Sequence, residues 1–216
     1  MAQRGLEDKE LERQQRLWEL YLRNMSEVKR RVAAIDDIFF GRCSTTYRIT
    51  NMEFCVLQIR KILELIALSA LVSDADLYRE RLDKIEKMWN ARLILRDIGR
   101  IHPDFYPQPI EIVAHDDNRP DEFVDVKEGY LTEEKFIEAY GTCGKYLHQS
   151  SPFVDEASLA SGYEKLEKEI LEWRKLIIRL LSTHIVRLYD SDYIWYTTMN
   201  AKDKEPSGNI FKRCSS

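Results

Sequence analysis

A histidine and an arginine are the residues of this sequence most able to do chemistry. His148 closes the run "YGTCGKYLH", residues 140–148, in which glycines stand at 141 and 144 and after which "SSPF" turns the chain. A helix C-terminus favours a cationic imidazole through the helix dipole. An ordinary pKa of about 6.5 also suits that group to proton transfer at neutral pH. The same histidine could simply cap its own helix, and the two glycines could serve close packing. Arg60 lies in "LQIRKILELIAL", residues 57–68, one helical turn before Glu64 on an otherwise apolar row. Burying that pair costs desolvation unless extra hydrogen bonds compensate. On a bundle rim it would be an ordinary surface pair. Joined across neighbouring helices, these residues define one candidate site. His148 would act as general acid and base, Arg60 or Lys145 would stabilise negative charge, Tyr140 would form a wall, and Glu64 would orient the arginine. Arg92, Arg96 and Arg100, four apart on another helix, form a second candidate, either a phosphate-lining groove or a solvated face.

The elements that must position these side chains are mainly helical. Leu11, Trp18, Leu22, Met25, Val28, Val32, Ile35 and Phe39 recur at helical spacing, so residues 6–40 read as one long helix or two with a bend. A second helix follows, with Thr50 or Asn51 as its cap; it is apolar on nearly every face from Phe54 to Val72, as a helix packed on several sides must be. Asp74 and Asp76 break it. A third runs from about Leu77 to Ile98 with Leu82, Ile85, Trp89, Leu93 and Ile98 in one stripe, stopped by Gly99 and "HPDFYPQP". Residues 103–129 hold four of the six prolines and a β-like "IEIV", a loop excursion with one or two short strands. Thr132 starts a fourth helix. Ser158 or Ser161 starts a fifth, striped by Leu166, Ile170, Trp173, Ile177 and Leu181. The tail, "DYIWYTTMN" and "NIFKRC", reads as a β-hairpin. The expected fold is a bundle of about five helices over residues 1–185, with a small hairpin appendage, 186–216, in the same domain.

Composition narrows the function. The 216 residues are 44% hydrophobic and 32% charged, with a formal charge of −4, which suits a globular protein and opposes non-specific coating of nucleic acid. No apolar stretch approaches the roughly 20 residues that span a bilayer, so a cytoplasmic protein without membrane association is expected. The four cysteines (43, 55, 143 and 214) show no metal-ligand spacing, which suits free thiols in a reducing compartment. Phosphate-loop, dinucleotide, zincin, nucleophile-elbow and di-iron motifs are missing from the sequence. No cofactor and no metal are therefore expected.

The combination of the "LQIRKILELIAL" helix with a later helix ending in "YGTCGKYLHQSSP" resembles the HEPN superfamily, over about Leu20 to Ile185. That resemblance implies a small helical bundle of the kind used in bacterial toxin, defence and RNA-processing systems. It implies a homodimer and, in active members, metal-independent RNA cleavage by an Arg-x4–6-His motif on a late helix. His148 would be the matching histidine, yet Gly141, Thr142 and Cys143 occupy the positions where the arginine belongs, leaving Arg60 to reach across. Arg96 and His102 satisfy the spacing, although Gly99 and Pro103 put His102 at the broken end of a helix. The expected function is a HEPN-like module that binds a protein or RNA partner, in a defence or toxin–antitoxin setting. The alternatives are a metal-independent ribonuclease using His148, and a structural oligomer assembled through the C-terminal hairpin.

Overall fold

The computed structural model describes residues 2–75, 90–114, 122–148, 153, 155–201 and 203–213. Among them, α1 (Ala2–Phe39) is one unbroken helix, and Tyr21, Met25, Val28 and Ile35 form its buried stripe. α2 (Arg48–Ser73) lies at the centre. Its start is set one turn earlier than expected, with Tyr47 at the N-cap. The Thr50 hydroxyl, three residues inside, accepts from the Tyr47 N–H at 3.3 Å. Around α2 pack α1, α3 (Ala91–Gly99), α4 (Glu133–Tyr146) and α5 (Glu156–Leu181). Packing on all these sides explains why α2 has no polar face.

The third helix differs from its expected form. Asn90 has extended backbone angles, and its side chain accepts from the N–H groups of Arg92 and Leu93, so a new helix begins at Ala91. Within this helix Ala91, Ile94, Leu95 and Ile98 are buried, and Leu93 is only half-buried. Leu82, Ile85 and Trp89 lie outside the described residues. Thr132 caps α4 as expected. Asp155, not Ser158 or Ser161, caps α5, by accepting from the Ser158 N–H at 2.9 Å. The α5 stripe from Leu166 to Leu181 is buried at all five expected positions.

The larger correction concerns the strands. β1 (Gln108–Val113), β2 (Glu122–Asp125), β3 (Thr183–Arg187), β4 (Tyr193–Thr198) and β5 (Ser207–Lys212) form one antiparallel sheet in the order β2-β1-β3-β4-β5. The tail hairpin exists as β4 and β5, but it is no appendage: β3 ties it to the central excursion, and the expected boundary at 185/186 falls inside β3. α5 ends at Leu181, where the β-branched run Thr183, Ile185 and Val186 takes over.

β1 is shared between two partners. Gln108 and Pro109 pair with β3, whereas Ile110 to Val113 pair only with β2. In a flat sheet β2 and β4 would stand about 14 Å apart. Instead the Phe123 and Tyr196 rings stack at 5.5 Å, and Phe211 lies 6.1 Å from Phe123. The β1–β2 ribbon therefore curls back over the sheet. Ile110 and Ile185 are buried beneath it, outside the main core.

The other side of the sheet meets the bundle at a buried junction. The His184 Nδ1–H donates to the Leu181 carbonyl at 2.9 Å, which leaves Nε2 to accept from the Tyr21 hydroxyl at 2.7 Å. Tyr21 also sets its ring edge against Trp195 at 5.6 Å.

Two measurements test this packing. Ile66 is 1% exposed, and Ile66→Ala should cost about 2–5 kcal/mol in urea unfolding, as large cavities do. Burial lowers the His184 pKa from 6.5 to about 4. The unfolded chain thus takes up a proton that the folded chain refuses between those values. The stability that neutral His184 contributes is complete above pH 6.5 and is lost as pH falls toward 4, by roughly 3 kcal/mol. Denaturant midpoints at pH 7.5 and 4.5 should show this decline, and His184→Gln should show a shallower one.

Candidate functional site

The two constellations expected around Arg60 meet at the α2–α4 seam. The guanidinium donates from Nη2 to the Tyr140 hydroxyl at 3.0 Å and sits 4.3 Å from that ring's centre. Nε donates to Glu64 Oε1 at 3.3 Å, while Lys61 donates to the other carboxylate oxygen at 2.8 Å. Tyr140 is itself stacked on Phe136. Nη1 makes no hydrogen bond among the described residues and points toward Gly144, where an added Cβ would stand 3.5 Å from it. Arg60 and Glu64 are 27% and 18% exposed, so the pair sits partly at the surface and not in the core. Cys143 beneath it is buried, and burial pushes its thiol up to about 12 against the opposing pull of Arg60. That thiol is protonated at neutral pH and is no nucleophile.

Arg60, Glu64, Tyr140 and Gly144 are thus brought together. His148 is not joined to them. It follows the C-cap residue Leu147, its backbone N–H bonds to Lys145 O, and its exposed imidazole makes no hydrogen bond or ion pair among the described residues. Lys145 is likewise exposed. Arg92, Arg96 and Arg100 do line one exposed face of α3, and Asp97 partly neutralises them, at 3.0 Å from Arg96 and 3.8 Å from Arg100.

Besides His184 at the sheet–bundle junction, His102 has a built environment. Its Nδ1 lies 3.1 and 3.0 Å from the two oxygens of Asp74, whose side chain is 0% exposed. Asp74 also accepts from the Tyr189 N–H at 3.1 Å, and the Tyr189 ring packs against the imidazole. Burial raises the Asp74 carboxyl above its ordinary pKa, against the opposing bonds from His102 and the Tyr189 N–H. A carboxylate behind Nδ1 fixes the tautomer and leaves Nε2 able to act as a base. Spacing in the sequence linked His102 only to Arg96, which pairs with Asp97 and takes no part in this site. Asp74 read only as a helix breaker, because its partners lie 28 and 115 residues away.

Among the described residues, no group of three or more His, Cys, Asp or Glu side chains is placed to hold a metal, and no helix is long and apolar enough to cross a membrane. No family model, curated protein or solved structure matches this chain.

The two ionic sites should respond differently to truncation. Removing a buried partner strands a charge or a donor, so Asp74→Ala should cost about 3 kcal/mol or more. Surface pairs contribute about 0–1 kcal/mol, so Glu64→Ala should stay within that range. Urea unfolding of both variants makes the comparison.

Proposed function

We propose that this chain is a HEPN-like helical module that acts by binding, with RNA received on the α2–α4 face. The observation that carries the reading is the fixed Arg60 guanidinium, whose plane is set by Tyr140 and Glu64 while Nη1 is left for a ligand. A pre-oriented guanidinium loses little freedom on meeting a phosphate oxygen. Lys61 and Lys145 add positive charge to this face, and the half-exposed Leu57 and Ile137 add apolar contact. A defence or toxin–antitoxin setting and a homodimer follow from the HEPN resemblance.

Fluorescence anisotropy with a short single-stranded RNA tests this. Arg60→Ala should weaken binding about tenfold, as loss of a charge-assisted hydrogen bond does. If the Arg92, Arg96 and Arg100 row also meets phosphate, changing all three to Ala should flatten the salt dependence of the affinity. RNA affinity indifferent to Arg60 would leave a protein as the partner of this face.

A second reading, metal-independent RNA cleavage, is supported by the Asp74–His102 pair and not by the surroundings of His148. In that case His102→Asn should abolish cleavage of a labelled RNA, and His148→Asn should retain it.

A further inference from the structure

The β1–β2 ribbon breaks the usual rule for a half-buried strand. Alternating residues should be dry on one face and wet on the other. Here Ile112 and Phe123 on the inner face are 44% and 40% exposed, and Val113 and Val124 on the outer face are 42% and 41% exposed. Both long edges are also open among the described residues. β2 is the terminal strand, and β1 beyond Pro109 has no β3 partner. The Phe123 ring contacts and an ion pair from Glu111 to Arg179 on α5 hold it to the rest. A two-stranded ribbon is marginal in water, and an open strand edge is a template for another strand.

Charge selects the occupant. β1 and β2 carry Glu111, Glu122 and Asp125 and no lysine or arginine, and the residues joining them, 115–121, add three aspartates and one arginine. Residues 108–125 thus hold six acidic residues and one basic, a formal −5 where the whole chain is −4. Nucleic acid and anionic lipid are repelled, and so is the same ribbon of a second copy. We infer that the β1–β2 ribbon is a docking strand for a partner protein, which adds a basic, β-forming segment along its open edge. Backbone hydrogen bonds supply the pairing, apolar side chains of the segment meet Ile112 and Phe123, and its cations project to the opposite face, which carries Glu111 and Glu122. This surface is distinct from the Arg60 face and does not depend on the RNA reading.

The probe is a capped octapeptide alternating lysine and valine, titrated into the full chain. Two controls accompany it: the same length alternating glutamate and valine, and one alternating lysine and proline, which keeps the charge and cannot pair as a strand. The lysine–valine peptide should bind at least tenfold more tightly than either control and should slow amide exchange at 110–113 and 122–125. Glu122→Lys with Asp125→Lys should reverse the preference toward the glutamate peptide, with an unchanged circular dichroism spectrum. Equal binding of the lysine–proline peptide would overturn the inference, since attraction would then be purely electrostatic. So would protection away from these strands, or a concentration-dependent doubling of mass in sedimentation that protects the ribbon without peptide. The peptide titration reads the ribbon and RNA anisotropy reads Arg60, so either reading can fail without the other.

Discussion

The fold depends on the near-complete enclosure of α2. A helix packed by four others cannot leave a polar side chain unmatched, and several of the polar groups it carries have drawn partners from specific neighbours. Gln58 accepts from Arg31, and Ser69 accepts from Asn24, fixing α1 at two levels. Glu53 accepts from Tyr163 on α5, Arg60 donates to Tyr140 on α4, and Asp74 gathers His102 and the backbone of Tyr189. Apolar contact alone would allow these helices to slide. The polar bonds set their register, so the candidate chemistry and the architecture share the same residues.

This explains how much was legible in the sequence. Periodicity located α1 and α5 because each buries a stripe, α2 was legible as a run apolar on nearly every face, and Thr132 marked the start of α4; Leu166 to Leu181 could be read residue by residue. The Arg60, Glu64 and Tyr140 grouping was readable because an ion pair on an apolar row demands a nearby partner. β3 was not legible: the α5 stripe runs into it without a glycine or proline, and Ser182 alone separates helix from strand. Asn90 hid for a related reason, since a cap within a continuous run of helix formers gives little signal. The Asp74–His102 pair needed the third dimension, because only folding brings a helix end, a loop after α3 and a loop after β3 together.

The formal charge of −4 is unevenly distributed. On the α2–α4 face Arg60 and Lys61 share Glu64, and the helix that carries Lys145 also carries Glu138, while the charged residues of the ribbon strands are all carboxylates. A nearly neutral average is therefore no description of what either surface attracts. Steering by such fields acts over about a Debye length, so the acidic ribbon can discriminate by charge before contact.

The division of β1 at Pro109 has a consequence for how such a chain can change over generations. Proline lends no N–H, yet its carbonyl accepts from the Val126 N–H and from the Gln108 side chain, which closes the base of the ribbon locally. Beyond that seal, buried Ile110, the Glu111–Arg179 pair and the Phe123 ring contacts tie the ribbon to the rest. Changes at Ile112, Val113 and Val124, which are exposed, can accumulate at little cost to the bundle. The ribbon can thus vary more cheaply than the scaffold, and a lineage could alter this surface without first inventing a fold.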